Sequence, residues 1–157
     1  MGFAGVMIPE EHGGVDMGHM AAGLIAMEMG KNLTASPFLS SAVLAATGIK
    51  AAGSDAQKSI WLPKIASGET IMALAVDEGA KHKPSRIEMS AIRSGNGFKL
   101  NGEKSMVVDG HIANQLIVAA KTAEDKLTLF LVDPKAKGLS TERTIMVDSR
   151  NLSLIHI

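Results

Sequence analysis

Cysteine and tyrosine are both absent from the 157 residues, tryptophan occurs once and phenylalanine four times. Without thiols there is no disulfide framework, thiolate zinc site, iron–sulfur cluster or cysteine nucleophile. The composition fits a reducing compartment, and a cytoplasmic location is the expectation. Net charge is absent too, since sixteen Lys and Arg balance sixteen Asp and Glu. With no basic stripe, the chain lacks the electrostatic footprint of a nucleic-acid binder or of a protein held on an anionic membrane. Long apolar runs are missing as well. The longest, residues 20–27, ends at Glu28 and falls far short of the roughly 20 residues a bilayer span requires. The first Lys or Arg is Lys31, so nothing near the first residue has the basic and apolar regions of a secretion signal.

What is present is 46% apolar side chains with ten methionines, enough for one ordinary domain or two small ones with a flexible aliphatic and thioether core. Met17, Met20, Leu24 and Met27 recur at helical spacing and predict an amphipathic helix over 17–33 with those residues as its apolar stripe. A second, buried helix is predicted over 39–52, after Ser36-Pro37 and ending at Gly53. Ser54-Asp55-Ala56-Gln57 has the form of a capping box opening a third helix, with Ile60, Trp61 and Ile65 as its buried face. Pro63 is expected to kink or split that helix. After Glu69 the period changes to short β-type runs at 71–76, 98–100, 105–108, 116–120 and 127–132. Asn96-Gly97 and Asn101-Gly102 mark tight turns of an antiparallel meander.

Most suggestive clusters have plain structural readings. The five histidines share no ligand spacing, so no metal site is expected. Gly95, Gly97 and Gly102 belong to hairpin turns, not to a phosphate loop between strand and helix. Asp77 and Glu78, as neighbours on a strand, should point to opposite faces and form no acid/base dyad. Two segments resist this treatment: Ile8-Pro9-Glu10-Glu11-His12-Gly13-Gly14, and the glycine-bracketed strand from Gly102 to Gly110.

Gly2-Phe3-Ala4-Gly5, Pro9-Glu10-Glu11-x-Gly13-Gly14, Glu28-x-Gly30, Ser36-Pro37-Phe38 and Gln57-Lys58-x-x-Trp61-Leu62-Pro63-x-Ile65-x-x-Gly68-Glu69 occur in an order that resembles the flavin-dependent acyl-CoA dehydrogenases. The likeness continues through Ala73-Leu74-Ala75, Glu78, Leu100-Asn101-Gly102-x-Lys104, Val107, Asp109-Gly110, Ala113 and Leu129-Phe130-Leu131-Val132, covering Gly2 to about Val147. Within the family, the small subunit of pimeloyl-CoA dehydrogenase is the type it most resembles. The resemblance implies an α+β chain. Residues 1–70 would be part of a helical N-terminal domain and 71–157 a middle domain like an antiparallel β-barrel, with the family's C-terminal helical domain absent. The β domain would then stop before closing, with an unpaired apolar edge near residues 152–157.

The implied activity is FAD-dependent oxidation of an acyl-CoA to its 2,3-enoyl form. Electron-transfer flavoprotein or a similar acceptor, and a homo- or hetero-oligomeric assembly, are the implied partners. No carboxylate here matches the family's catalytic glutamate, so no catalytic residue is assigned and the chain alone is expected to be inactive. An inactive subunit paired with an active one is the alternative. The implied flavin contacts are Leu74, Ala75, Val76, Asp77, Glu78, Met106, Val107 and Val108. Two of these stretches depart from the family pattern. Asp77-Glu78-Gly79 stands where the family has Thr-Glu-Pro, and the following Gly-Ser-Asp is not recognisable; Met106-Val107-Val108 stands for Trp-Ile-Thr. A carboxylate of Asp77 beside the flavin would oppose the charge of its reduced form, by about 4 kcal/mol at 4 Å for an effective dielectric near 20 and less if solvated; another alignment of the stretch, or an Asp77 that faces outward, is the alternative. Lys81, His82 and Lys83 lie where the family's loop approaches acyl-CoA, and would meet CoA phosphates or the far carboxylate of a dicarboxylic acyl chain.

Overall fold

Ser54 starts the best-specified helix of the chain. Its hydroxyl accepts from the Gln57 amide at 3.3 Å while the Gln57 side chain accepts from the Ser54 amide at 2.8 Å, closing the reciprocal box its spacing predicts. This detail comes from a computed structural model that describes residues 2–123, 126–147 and 151–157. The chain divides into one unit ending at Met72 and a second, Ala73–Ile157.

The first unit holds α1 (Gly18–Lys31), a π-helical turn (Phe38–Ala45) that passes directly into α2 (Ala46–Ala52), and α3 (Asp55–Ala66). In α1 the predicted face is reversed. Met17, Met20, Leu24 and Met27 are 58–80% exposed, whereas Ala22 is buried and Ala21, Ile25 and Met29 pack on Val6, Met7, Phe38 and Ala42. Both stripes have helical spacing, so period alone cannot choose between them. In α3 the buried residues are Leu62 and Ile65, while Ile60 is exposed. Pro63 lies inside the helix without splitting it. The carbonyl it leaves unbonded belongs to Ser59, which is exposed and so is open to water.

The Pro9-to-Gly14 segment has a structural explanation. A short 3-10 turn (Glu10–His12) ends on Gly13 at φ +78°, and the chain then doubles back, with the amides of Val15, Asp16 and Met17 bonding to the carbonyls of Gly5, Ile8 and Val6 at 3.0 Å. Gly14 runs so close to this return that a Cβ on it would sit 1.9 Å from the Ile8 carbonyl oxygen.

Among its described residues the second unit has eight strands: β1 (Met72–Ala75, its first residue in the other unit), β2 (Ser90–Ser94), β3 (Gly97–Asn101), β4 (Glu103–Val108), β5 (Gln115–Thr122), β6 (Leu127–Val132), β7 (Ser140–Ile145) and β8 (Asn151–His156). They form two sheets, β1-β5-β2-β3 with β6 also on β5, and β4-β8-β7. The described strands do not form one closed barrel. Pairing is antiparallel in β2·β3, β4·β8, β5·β6 and β7·β8, but β2 meets β5 in parallel at Ser90 and Ala91. The β2–β3 turn falls on Gly95-Asn96, one residue earlier than expected, with Ser94 facing Gly97 and Gly95 at φ +56°.

The apolar tail is not an unpaired edge. β8 lies between β4 and β7, and Gly102 and Ile157 exchange amide–carbonyl bonds of 3.0 Å. β7, Ser-Thr-Glu-Arg-Thr-Ile, carries no alternating apolar signal, which is why it and the order of this sheet escape sequence reading. The core collects Ala73, Ala75, Met89, Val107, Leu116, Val118 and Ile155.

The adjacent glycines of the return loop should respond differently to alanine. Gly13→Ala needs only a left-handed alanine in open space and should cost about 1 kcal/mol. Gly14→Ala collides with backbone and should cost more than about 3 kcal/mol. Urea denaturation followed by the fluorescence of Trp61 would check this, and equal midpoints for the two variants would refute it.

Candidate functional site

β1 ends at Ala75, and the next residues run extended beside the start of β4. The Ser105 amide donates to the Asp77 carbonyl at 2.8 Å and the Ser105 hydroxyl to the Gly79 carbonyl at 3.0 Å. The Lys104 ammonium donates to the Val76 carbonyl at 3.0 Å and to Glu78 Oε1 at 2.6 Å. Glu78 further accepts from the amides of Glu88 at 2.6 Å and Met89 at 3.0 Å. One carboxylate therefore joins the end of β1, the start of β4 and the approach to β2.

The Lys104 side chain has no solvent exposure, and that of Glu78 only 15%. Burial pushes the Lys104 ammonium below its ordinary value, and the hydrogen bond and charge of Glu78, with the charge of Asp77, recover only part of the shift. For Glu78, burial pushes upward, but the Lys104 hydrogen bond, the two backbone amides and the Lys104 charge together outweigh it, holding the carboxyl below 4.5. The sequence contained both residues among its motif matches, but nothing in a separation of 26 positions showed that they pair.

Asp77 does not turn toward an open face. Its carboxylate accepts from His82 Nδ1 at 2.8 Å and from the Lys83 amide at 3.0 Å, so it caps the loop that follows. As expected for neighbours on an extended backbone, Asp77 and Glu78 take separate partners. Beyond them lies a cleft of about 440 Å³ lined by Glu78, Gly79, Ala80, Lys81, Lys83, Arg86 and Glu88. Lys81 and Lys83 are thus brought to one cavity. His82 is not on its wall, and Arg86, which sequence reasoning passed over, is.

On β4, Met106 has φ +56° and is 49% exposed. The pairing with β8 shifts register between Lys104 and Val107, so Met106 sits on a bulge, the kind of device that re-aims a side chain out of a sheet. Ala75 and Val107 have their side chains in the core, at 0% and 1% exposure, and only their backbones can face a ligand. Leu74, Val76 and Val108 are half-buried. Gly110 explains one glycine bracket: a Cβ there would come within 3.0 Å of Ser153 and Val107, and the Ser153 hydroxyl accepts from the His111 amide at 2.9 Å.

Comparison with known proteins decides the family. Residues 1–69 match the profile of the acyl-CoA dehydrogenase N-terminal domain and residues 72–153 that of the acyl-CoA dehydrogenase middle domain. The chain belongs to the acyl-CoA dehydrogenase family. It is 30% identical over 154 residues to the mitochondrial isovaleryl-CoA dehydrogenase of Pongo abelii, an alignment covering 92% of this chain and 36% of that enzyme. Among solved structures, a glutaryl-CoA dehydrogenase from Mycobacterium smegmatis in complex with FADH2 superposes with a TM-score of 0.87 at 25% identity, over 99% of this chain and 41% of the other. The ChsE4-ChsE5 complex from Mycobacterium tuberculosis gives 0.87 at 26% identity, over 99% and 42%. The chain thus spans well under half the length of the relatives it matches. FAD is the cofactor of this family. No helix among the described residues is long and apolar enough to cross a membrane.

The buried pair should be asymmetric under mutation. Glu78→Leu strands a fully enclosed ammonium and two amides, and should cost about 3–5 kcal/mol. Lys104→Met leaves a carboxylate that keeps both amide donors and some solvent, and should cost about 1–3 kcal/mol. The Glu78 carboxyl is depressed in the fold, so its contribution is complete above pH 4.5 and is lost as pH falls through the depressed value. Denaturation midpoints between pH 7 and 3 would show this loss in the wild type and not in Glu78→Leu. Equal costs for the two substitutions would contradict the assigned roles.

Proposed function

We propose that this chain carries flavin-facing strands and part of the acyl-CoA mouth of an FAD-dependent acyl-CoA dehydrogenase, whose product is the 2,3-enoyl thioester. The observation that carries this reading is the junction at Lys104 and Ser105, which lays residues 76–79 along β4 and leaves Met106 exposed beside it. These residues fit a flavin. A bulged methionine free of the β8 register offers a polarisable apolar contact for an aromatic ring, and Leu74, Val76 and Val108 are half-buried nearby in sequence on the same two segments.

Bound FAD would supply the hydride acceptor. This chain's part is to bind and orient: Met106 and Val108 from β4, Leu74 and Val76 from β1 and its continuation, and the backbones of Ala75 and Val107. Glu78 and Asp77 contribute through the positions they fix. No carboxylate of the chain matches the family's glutamate base, whose loss typically costs 10²–10⁴-fold in rate. Residues 1–157 with excess FAD, an acyl-CoA and an artificial electron acceptor should therefore show no turnover above the protein-free control. Steady turnover would overturn this division of labour.

A second reading, a subunit of the same fold that pairs with an active partner, is favoured by one observation: Val108 has no side-chain donor where the family has threonine. The ChsE4-ChsE5 neighbour, itself a complex of two proteins, supports such an arrangement. Electron-transfer flavoprotein is the proposed acceptor for the complete assembly.

In the complete protein, Val108→Thr should tighten FAD binding by up to about tenfold, because it restores one hydrogen bond worth about 0.5–1.5 kcal/mol. Titration of apo-protein with FAD, read by quenching of flavin fluorescence, checks it. Unchanged affinity would count against placing the flavin along β4.

A further inference from the structure

Asp77 and the basic run after it act as one unit. Asp77, which stands where the family has threonine, and the basic run Lys81-His82-Lys83 meet in the structure, because the Asp77 carboxylate holds the His82 ring and the Lys83 amide. The loop so fixed walls the 440 Å³ cleft with Lys81, Lys83 and Arg86.

The charges of that cleft do not cancel. Glu78 is neutralised from behind by Lys104 at 2.6 Å, and Glu88 pairs with Arg86 at 3.0 Å. Lys81 and Lys83 have no ion-pair partner among the described residues and are both exposed. Even with the Asp77 carboxylate behind the loop, the two lysines leave a net positive charge beside the Arg86 guanidinium. A phosphate ester, with three acceptor oxygens and about −1.5 to −2 of charge, can meet Lys81, Lys83 and Arg86 together, whereas a single carboxylate offers two oxygens. The cleft's size lies in the usual range for small-ligand sites, about 300–1,000 Å³.

We propose that the cleft walled by Lys81, Lys83 and Arg86 is a subsite for the phosphate-bearing end of a ligand, with Asp77 as the residue that positions its cations. Only the identity of that end as the nucleotide part of an acyl-CoA rests on the function proposed above. His82, which the basic run first suggests as a contact, serves the anchor and not the ligand.

The sign of one substitution separates positioning from simple charge. Removing the Asp77 carboxylate makes the region more positive and would by charge alone tighten anion binding; if Asp77 sets the loop, it weakens binding instead. Calorimetric titrations of the 157-residue chain at low salt, with inorganic pyrophosphate, coenzyme A and glutarate as probes, distinguish these cases. Pyrophosphate should bind more tightly than glutarate and weaken with added salt. Lys81→Gln and Lys83→Gln should each reduce its affinity roughly tenfold. Asp77→Ala should weaken it several-fold, and Asp77→Asn, which keeps an acceptor for the Lys83 amide, should recover part of the loss. Circular dichroism midpoints close to wild type confirm that these loop variants remain folded.

Lysine variants that leave pyrophosphate binding unchanged, glutarate binding more tightly than pyrophosphate, or tighter binding by a folded Asp77→Ala would each overturn the proposal. If pyrophosphate follows the expected pattern but coenzyme A fails to compete with it, the phosphate subsite stands and the acyl-CoA reading of this cleft falls.

Discussion

A fully enclosed ammonium is the constraint on which the second unit's functional edge depends. Lys104 cannot be left without partners inside a protein, and the partners it takes, the Val76 carbonyl and the Glu78 carboxylate, belong to a segment with no strand pairing of its own in residues 76–79. Satisfying the lysine therefore fixes that segment against β4. Glu78 passes the constraint on through the amides of Glu88 and Met89, which set where the chain enters β2. Three stretches distant in sequence are thus placed by one ion pair. Replacing a buried pair by apolar residues is often neutral or stabilising, so its value here lies in the geometry it specifies.

That geometry has two sides. On one, the bulge in β4 exposes Met106, while its neighbours Lys104 and Val107 stay buried. On the other, the Asp77 carboxylate organises the loop that borders the cationic cleft. Adjacent carboxylates, Asp77 and Glu78, serve these sides separately. Asp77 and Glu78 are each held by local partners, and Met106 and the lysines of the loop remain exposed.

The sequence carried the order of elements better than their faces. The capping box and the change of period after Glu69 rest on local chemistry, and the structure has them. The apolar stripe of α1 failed because Met17, Met20, Leu24 and Met27 and the smaller set around Ala22 share the same period; which is buried depends on neighbours that no local pattern describes. β7 and the central position of β8 were hidden for a related reason, since strand pairing is a long-range choice. At the site, the motif order revealed the family, and Lys81 and Lys83 were found as neighbours in the chain. The Lys104–Glu78 pairing, the anchoring role of Asp77 and the contribution of Arg86 all arise from contacts between segments, and a motif read along the chain does not contain them.

Amide hydrogen exchange tests the central role of the buried pair most directly. The amides of Ser105, Glu88 and Met89 bond to the Asp77 carbonyl and the Glu78 carboxylate, outside any regular ladder. If Lys104 and Glu78 organise this region, these three amides exchange at pH 7 nearly as slowly as that of Val118 in β5, and all three lose protection together in Glu78→Gln while Val118 keeps most of its own. Fast exchange of the three in the wild-type protein, or loss confined to Glu88 and Met89 with Ser105 unchanged in the variant, would contradict the account.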